Sequence, residues 1–263
     1  MNGSYKQALS LQGRVLWALC LREIHGKHGK SRLGYLWQFV KTGFTVAVFW
    51  FVRAATGFQT PYDIAVPLYL LMGIIPWFMF KESVSMVMEA VHSNEALLTF
   101  PQVSTLDLML SSAIVAWVTE LIVLLIYLFL IIQLGYKVSL VDPLALLGGM
   151  GGVCLMGLSV GMIFTAINLY VPVTEKLVPM LLRILFFTSG VFFTPTARFG
   201  AEYRVFFDWN PLTNYFELLR GAFVFSAPMD SVKIDFIFFV TIYALGVGLL
   251  LERYVRPKHS SMI

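Results

Sequence analysis

Six apolar stretches, each close to the length needed to cross a lipid bilayer, dominate this sequence. A transmembrane helix needs about 20 consecutive, predominantly apolar residues. Charged residues make up only 13% of the 263 residues, whereas a soluble domain contains about 25%. Because so little polar surface is left to face water, we predict an all-α polytopic membrane protein with six transmembrane helices. The predicted spans are residues 39–58, 66–91, 106–134, 144–170, 177–193 and 234–251, within a single transmembrane domain of residues 39–252.

Lys and Arg residues predict the orientation of these spans. Seven occur in residues 6–41 and three in residues 253–258, but residues 59–65, between the first two spans, contain none. Cytoplasmic loops are enriched in Lys and Arg, so both termini are predicted to be cytoplasmic, which requires an even number of spans. Residues 92–105 would then also be cytoplasmic, although they contain neither Lys nor Arg. The positive-inside rule does not explain this loop.

Three segments lie outside the spans. Residues 1–38 are predicted to be a cytoplasmic N-terminus with an interface helix, and residues 253–263 a cytoplasmic tail. Residues 194–233 combine aromatic and charged side chains and are too polar to span. We predict that they form outer-face re-entrant amphipathic helices between spans five and six, because aromatic rings favour the headgroup layer. The residues singled out there are Trp209, Asn210, Pro211, Glu217 and Arg220, with a turn at Asn210-Pro211.

Charged side chains inside the predicted spans are informative, because burying a charge in hydrocarbon costs several kcal/mol. Span two contains Lys81, Glu82 and Glu89, and spans three and five contain Glu120 and Arg183. One interpretation is internal pairing, with Lys81 or Arg183 neutralising one of the glutamates. The other, compatible interpretation is a hydrated path for a polar substrate. Aromatic side chains in the spans either line such a path or face lipid. The aromatic and basic residues proposed to line the path are Trp50, Arg53, Tyr69, Trp77, Lys81, Arg183 and Phe187.

Span four contains two pairs of glycines at G-x-x-x-G spacing, Gly148/Gly152 and Gly157/Gly161. This spacing lets helix backbones approach closely. The step between the pairs turns an α-helix by about half a revolution. The two pairs are therefore predicted to pack against different neighbours.

No segment is predicted to bind or split ATP. Gly29-Lys30-Ser31 looks like the end of a phosphate-binding loop, but the glycine which that loop requires at position 24 is replaced by Ile24. The sequence also has no matched set of carboxylates, histidines or cysteines for catalysis or metal binding. No catalytic residue, metal or cofactor is assigned to this chain.

Four stretches, in order along nearly the whole chain, are specific enough in combination to indicate a family. They are Arg22-Glu23-Ile24 with Gly29-Lys30-Ser31-Arg32-Leu33-Gly34-Tyr35-Leu36-Trp37; Leu71-Met72-Gly73-Ile74-Ile75-Pro76-Trp77-Phe78; Asn94-Glu95-Ala96-Leu97-Leu98 with Pro101-Gln102-Val103 and Leu106-Asp107; and Trp209-Asn210-Pro211-Leu212 with Glu217-Leu218 and Arg220. Together they resemble the permease subunit of ABC-type capsular polysaccharide exporters, the KpsM-like group. One departure is Lys41-Thr42, which stands where relatives often have Glu-Pro.

The resemblance implies a transport subunit without enzymatic activity of its own. It implies a homodimer in a bacterial inner membrane, joined by two ATP-binding subunits that hold ATP and Mg. The expected substrate is a lipid-linked, acidic capsular polysaccharide, and periplasmic and outer-membrane capsule export proteins are expected partners; nucleic acid is not. The ATPase subunit is expected to touch residues 9–32 and 93–107, which would explain why residues 92–105 lack Lys and Arg.

Two groups of residues follow from this reading. The residues expected to contact the ATPase subunit are Asn94, Glu95, Leu97, Leu98, Pro101 and Asp107. The basic residues expected to recruit an anionic glycolipid at the membrane surface are Arg22, Lys27, Lys30 and Arg32.

Three alternatives stay open at the level of sequence. The chain can be an ABC permease for another glycan, such as O-antigen or teichoic acid, which only resemblance separates from a capsule exporter. It can be a membrane-embedded glycolipid transferase, which would require clustered catalytic side chains at a membrane face. It can also be a scaffold that transports nothing.

Overall fold

The computed structural model describes residues 2–28, 34–57, 60, 64–193, 206–224 and 232–260, and the regular structure within them is helical. This confirms the all-α prediction. The α-helices are α1 (Asn2–His28), α2 (Gly34–Thr56), α3 (Val66–Ala90), α4 (Thr105–Gln133), α5 (Pro143–Tyr170), α6 (Thr174–Thr188), α7 (Pro211–Gly221) and α8 (Ile234–Ser260), and a 3₁₀ helix (His92–Thr99) connects α3 to α4.

Five helices, α2 to α5 and α8, are long and apolar enough to cross a membrane. They correspond to five of the six predicted spans. The predicted fifth span, residues 177–193, instead contains most of α6, which has only 15 residues, fewer than the about 20 that a span needs. The chain turns just after α6, at Gly190, whose φ is +69°. Among the described residues the structure therefore shows five candidate spans and, at the predicted fifth span, a helix shorter than a span, so the sixth crossing stays a prediction.

α3 is the central helix of the bundle. Its side chains are apolar around most of the circumference, and Leu70, Leu71, Ile74 and Ile75 are 0% exposed. A helix that is apolar on all sides belongs in a protein core or in lipid, and the burial of α3 places it in the core of the bundle. Accordingly, α3 packs against α2, α4, α5 and α7.

The glycines of α5 pack as predicted at three of four positions. A Cβ on Gly157 or Gly161 would lie 2.7 Å from a side-chain atom of Ser83 or Val87 on α3, and a Cβ on Gly152 would lie 2.4 Å from the ring of Tyr215 on α7. The pairs thus face different neighbours. Gly148 has nothing within 4 Å of its Cβ position, so that position makes no close helix contact.

The bundle has two ends, which we call the α1 end and the α7 end. At the α1 end, α1 packs across the end of α3 and the start of α4, burying Leu19 and Cys20. Glu252 of α8 accepts a hydrogen bond from Thr105 at the same end. At the α7 end, α7 packs against α3, α5 and α8. The Asn210 side chain caps α7 by accepting a hydrogen bond from the Leu212 N–H at 3.0 Å, so Asn210-Pro211 marks the start of a helix.

Candidate functional site

Arg220 on α7 is buried at the α7 end, with 1% of its side chain exposed. Its Nη1 donates a hydrogen bond to Glu217 Oε1 at 2.9 Å. Its Nη2 donates to the carbonyl oxygens of Gly190, at 3.1 Å, and Val191, at 2.7 Å. These carbonyls follow the end of α6, where backbone acceptors lack partners within the helix. Arg220 therefore fixes the end of α6 against α7.

A second buried arginine, Arg53 near the end of α2, reaches the same segment. It is 7% exposed and donates a hydrogen bond to the carbonyl oxygen of Phe192. The guanidinium carbons of Arg53 and Arg220 lie 4.6 and 4.0 Å from the centroid of the Tyr69 ring. Because the face of an aromatic ring attracts cations, Tyr69 stabilises both arginines. We call Arg53, Tyr69, Glu217 and Arg220 the arginine cluster.

The arginine cluster joins two groups that the sequence keeps apart. Arg53 and Tyr69 are predicted path residues, whereas Glu217 and Arg220 are assigned to the region between spans five and six. The structure brings all four into one cluster that connects α2, α3, α7 and the end of α6. Tyr69 is 0% exposed, so its ring is enclosed by its own chain.

An aromatic layer continues from this cluster between α2, α3 and α6. The ring centroids of Phe49 and Phe192 are 3.7 Å apart, those of Trp77 and Phe186 5.4 Å, and those of Phe186 and Phe187 5.1 Å. Trp77 is 2% exposed, whereas Phe187 is 58% exposed. Of these two predicted path residues, only Phe187 reaches the outer surface of the chain.

A polar network joins α2 to α3 and α4 nearer the α1 end. The Lys41 ammonium lies 3.1 Å from Glu82 Oε1 and donates a hydrogen bond to Gln38 Oε1 at 3.3 Å. Gln38 in turn donates to the buried carboxylate of Glu120. We call Gln38, Lys41, Glu82 and Glu120 the lysine network. Glu82 forms an ion pair with Lys41, a partner that the sequence interpretation did not name, because α2 packs against α3 at that height.

The remaining predicted path residues differ in exposure. Trp50 on α2 is 47% exposed, Arg183 on α6 is exposed, and Lys81 on α3 is half-buried. α2 and α6 also present large apolar side chains to the outside of the bundle. The most exposed of these are Trp37, Phe44, Phe51, Met180, Ile184 and Phe187.

The 3₁₀ helix between α3 and α4 forms the surface of the α1 end where the sequence places the ATPase contact. Glu95 is exposed and pairs with His92 at 2.9 Å. The Asn94 side chain donates a hydrogen bond to the Ala90 carbonyl at 2.8 Å, and Leu97 and Leu98 pack against the core. Asn94, Leu97 and Leu98 therefore anchor this surface to the rest of the bundle, whereas the Glu95 side chain is exposed.

The second half of this connection contains a residue that the sequence interpretation missed. Pro101 is exposed, and the neighbouring Phe100 is 58% exposed. Asp107 is buried, closes a capping box with Ser104 and accepts a hydrogen bond from Gln12 of α1. Phe100 is the one Phe, Tyr or Trp in residues 92–104, and this is the sequence signal that points to it. Asp107 instead holds α1 against the start of α4.

The predicted recruitment residues are only partly described. Arg22 on α1 is exposed and lines a cavity of about 300 Å³ with Glu23, Glu89 and Asn94. Lys27 lies in the last turn of α1, and Lys30 and Arg32 lie outside the described residues. No group of three or more His, Cys, Asp or Glu suited to a metal ion occurs within the described ranges.

Trp209, next to the start of α7, is 68% exposed. Its ring packs edge-to-face on Phe236 of α8, with 5.6 Å between centroids. The ammonium of Lys233 lies 5.9 Å from the centroid of the same ring and 3.5 Å from Asp208 Oδ2. Aromatic and charged groups therefore meet at the surface of the α7 end, as the composition of residues 194–233 indicates.

Comparison with known proteins extends these observations over most of the chain. The sequence model of the family described as "ABC-2 type transporter" matches residues 14–224. The matched range begins in α1, covers the 3₁₀ helix and the lysine network, and ends just after α7. It therefore includes α2 to α7 and the second half of α1, but not Gln12, Lys233 or α8.

Similar full-length proteins include three capsule-related proteins. The Escherichia coli polysialic acid transport protein KpsM is 27% identical over 94% of this chain and 96% of its own length. The Haemophilus influenzae capsule polysaccharide export inner-membrane protein BexB is 24% identical over 95% of this chain and 94% of its own. The capsule polysaccharide export inner-membrane protein CtrC of Neisseria meningitidis serogroup B is 23% identical over 72% of each chain.

Proposed function

The chain belongs to the ABC-2 type transporter family, and we propose that it is the permease subunit of an ATP-driven exporter of lipid-linked, acidic capsular polysaccharide. The similarity to KpsM and BexB over more than nine-tenths of the chain carries this proposal. In this family the ATPase is a separate subunit. We assign the five long apolar helices to the transmembrane part of this exporter.

We propose that the chain crosses the inner membrane six times, with both termini and the α1 end in the cytoplasm. α6 starts near the α1 end, since it follows α5, and the residues just after it, Val191 and Phe192, accept hydrogen bonds from Arg220 and Arg53 at the α7 end. The short helix and the residues after it thus extend between the two ends. α1 then acts as the interface helix, and α7 lies in the outer-face re-entrant region.

The exporter is proposed to contain two copies of this chain, with the path between them. The exposed faces of α2 and α6 are the surfaces available for this, and they present Trp50, Arg183 and Phe187. Lys81, which is half-buried, adds a positive charge to this proposed path. Arg53, Tyr69 and Trp77 are enclosed by their own chain, so we assign them to the wall behind the path.

The ATPase subunit is proposed to dock on the 3₁₀ helix and the turn that follows it. Glu95, Phe100 and Pro101 are exposed there, and the lack of Lys and Arg suits a protein surface better than anionic headgroups. Because Asp107 and Gln12 tie α1 to the start of α4, movement of this surface is transmitted to both helices.

The test combines purification with charge reversal. The chain is co-expressed with the ATPase subunit of its exporter, and ATP hydrolysis is measured with and without the lipid-linked polysaccharide. We expect stimulation by the polysaccharide and loss of surface polysaccharide in cells with Arg183→Glu or Lys81→Glu, while the subunits still purify together. Exposed Arg253 on α8 provides the matched control, Arg253→Glu.

Two results contradict the proposal in different ways. An ATPase that never co-purifies with the chain and is not stimulated by any glycolipid rules out the exporter. Normal export by both Arg183→Glu and Lys81→Glu rules out their part in the path but leaves the exporter in place.

A further inference from the structure

Asp208, Trp209 and Lys233 form an exposed group at the α7 end, which we call the tryptophan site. Trp209 is 68% exposed, and its ring rests on that of Phe236 with 84° between the two planes. Because the rings are nearly perpendicular, this contact covers little of the indole. Most of the indole surface is therefore accessible to a ligand.

One buried side chain holds the two segments of the tryptophan site together. Asn214 on α7 is 4% exposed. Its Nδ2 donates a hydrogen bond to the Asp208 carbonyl at 3.1 Å, and its Oδ1 accepts one from the Lys233 N–H at 3.1 Å. Residues 208 and 233 precede and follow α7 in the sequence, so this amide fixes the backbone on both sides. The interior of the fold thus sets the positions of the exposed side chains.

The ammonium of Lys233 can bind an anionic group beside the indole. It lies 3.5 Å from Asp208 Oδ2 and 5.9 Å from the centroid of the Trp209 ring. An ammonium has three N–H donors, and the Lys233 side chain is 49% exposed. A ligand carboxylate can therefore reach the ammonium while an apolar part of the same ligand covers the indole.

An indole, an ammonium and a carboxylate in one site suit an acidic sugar better than a phospholipid headgroup. The face of a sugar ring carries C–H groups, which the electron-rich face of an indole attracts. An acidic sugar also has a carboxylate for Lys233 and hydroxyl donors for Asp208. A phosphodiester supplies the anion but no donor, so nothing offsets its repulsion by the Asp208 carboxylate.

We propose that the tryptophan site binds one acidic sugar residue of the exported polysaccharide, with the sugar ring on Trp209 and its carboxylate at Lys233. The inference rests on the proposed export function and adds a glycan-binding site apart from the residues assigned to the path. Because the α7 end is proposed to face outward, the site would hold the polysaccharide on the outer side of the membrane.

Binding of lipid-free oligosaccharides tests this site. Fragments are prepared from the acidic polysaccharide of producing cells, and half of them are treated to reduce their carboxyl groups to alcohols. Their Kd values are measured for the chain with its ATPase subunit, in nanodiscs of phosphatidylcholine and phosphatidylglycerol. We expect the wild type to bind the untreated fragments about tenfold more tightly than the reduced ones.

Variants separate the indole from the cation. Trp209→Leu removes the aromatic face and should raise the Kd of untreated fragments about tenfold, whereas Trp209→Phe should retain most of the binding. Lys233→Gln should bind both kinds of fragment as weakly as the wild type binds reduced ones. Phe239→Leu is the matched control, because Phe239 on α8 is also 68% exposed, and its Kd values should equal those of the wild type.

Several results would overturn the tryptophan site. They are no fragment binding by the wild type, equal binding of untreated and reduced fragments, and unchanged Kd values in folded Trp209→Leu and Lys233→Gln. Loss of bound phosphatidylglycerol from these variants in native mass spectrometry, with fragment binding intact, would make Trp209 a lipid anchor instead. Melting temperature and co-purification of the ATPase show that each variant is folded and assembled.

The proposed export function is read from a different measurement. A wild-type complex whose ATP hydrolysis is not stimulated by the lipid-linked polysaccharide overturns that function, whatever the fragments do. A stimulated complex that binds no fragments overturns the tryptophan site alone.

Discussion

The guanidinium carbon of Arg220 lies 4.0 Å from the centroid of the Tyr69 ring, between α7 and α3. The same arginine donates hydrogen bonds to Glu217 and to two carbonyls after α6. A hydrocarbon environment gives helices little hydrophobic reason to associate, so polar contacts of this kind contribute strongly to their arrangement. We infer that the arginine cluster holds the α7 end together as one unit.

Removing this cation should destabilise the protein severely. Arg220→Gln removes the cation that donates to the Glu217 carboxylate and to the carbonyls of Gly190 and Val191, and breaking a buried ion pair costs about 3–5 kcal/mol. We expect a large drop in melting temperature for the purified chain in detergent. Arg253→Gln, at an exposed site on α8, should melt like the wild type. Equal melting of the two variants would contradict the structural role of Arg220.

Gly73 on α3 should tolerate no side chain. A Cβ there would lie 2.2 Å from the Val191 carbonyl oxygen and 2.8 Å from Arg220 Nη2. Gly73→Ala must displace backbone, so we expect a loss of about 1–3 kcal/mol in unfolding free energy. Gly246→Ala, on α8, has nothing within 4 Å of the new Cβ and is the control. Denaturant unfolding of both variants makes the comparison, and a Gly73→Ala variant as stable as Gly246→Ala would refute the close contact.

Cys20 should react slowly with maleimide when α1 is docked. It is 8% exposed, and burial, together with the nearby Glu23 carboxylate, raises the pKa of its thiol. A raised pKa lowers the thiolate fraction at neutral pH, and the thiolate is the reactive form. In a Cys154→Ser background we expect labelling much slower than at an exposed α1 position, introduced as Arg14→Cys with Cys20→Ser.

The same assay reports on the anchoring of α1. Asp107→Asn weakens the contact from Gln12 and the capping box with Ser104, so labelling of Cys20 should become faster. Asp235→Asn, on the exposed first turn of α8, should have no effect. Rapid labelling of Cys20 in the wild type would show that α1 does not pack as described.

Lys41 and Glu82 should be energetically coupled. Both side chains lie in candidate membrane spans and are only about a quarter exposed, and polar contacts between membrane helices contribute about 0.6–1.7 kcal/mol. A double-mutant cycle with Lys41→Gln and Glu82→Gln, read from unfolding free energies, should give a coupling in that range. Strictly additive effects would mean that the two side chains do not interact.

We expect the Phe100 side chain to contribute directly to binding of the ATPase subunit. Exposed aromatic side chains are enriched among residues that dominate protein interfaces. Phe100→Ala should weaken the ATPase complex by about tenfold, corresponding to 1.4 kcal/mol, in a pull-down titrated with the ATPase subunit. Phe206→Ala, 66% exposed near α7, should leave affinity unchanged. Equal affinity for both variants would exclude Phe100 from the interface.

The sequence by itself determined the class of this protein. Apolar length and scarce charge dictate helices in a bilayer, because a hydrocarbon core requires each span to satisfy its own backbone hydrogen bonds. These rules are local, so α3, α4 and α5 begin and end within one residue of predicted spans two, three and four, and the spacing of Gly157 and Gly161 predicts close packing.

Tertiary structure decided which side chains meet. Arg53 and Arg220 share the ring of Tyr69, and Lys41 pairs with Glu82. It also placed Tyr69 and Trp77 inside the chain and Phe187 outside. The physical reason is that a helix apolar on all sides gives no periodic signal of which face meets which neighbour, and only packing of distant segments settles it.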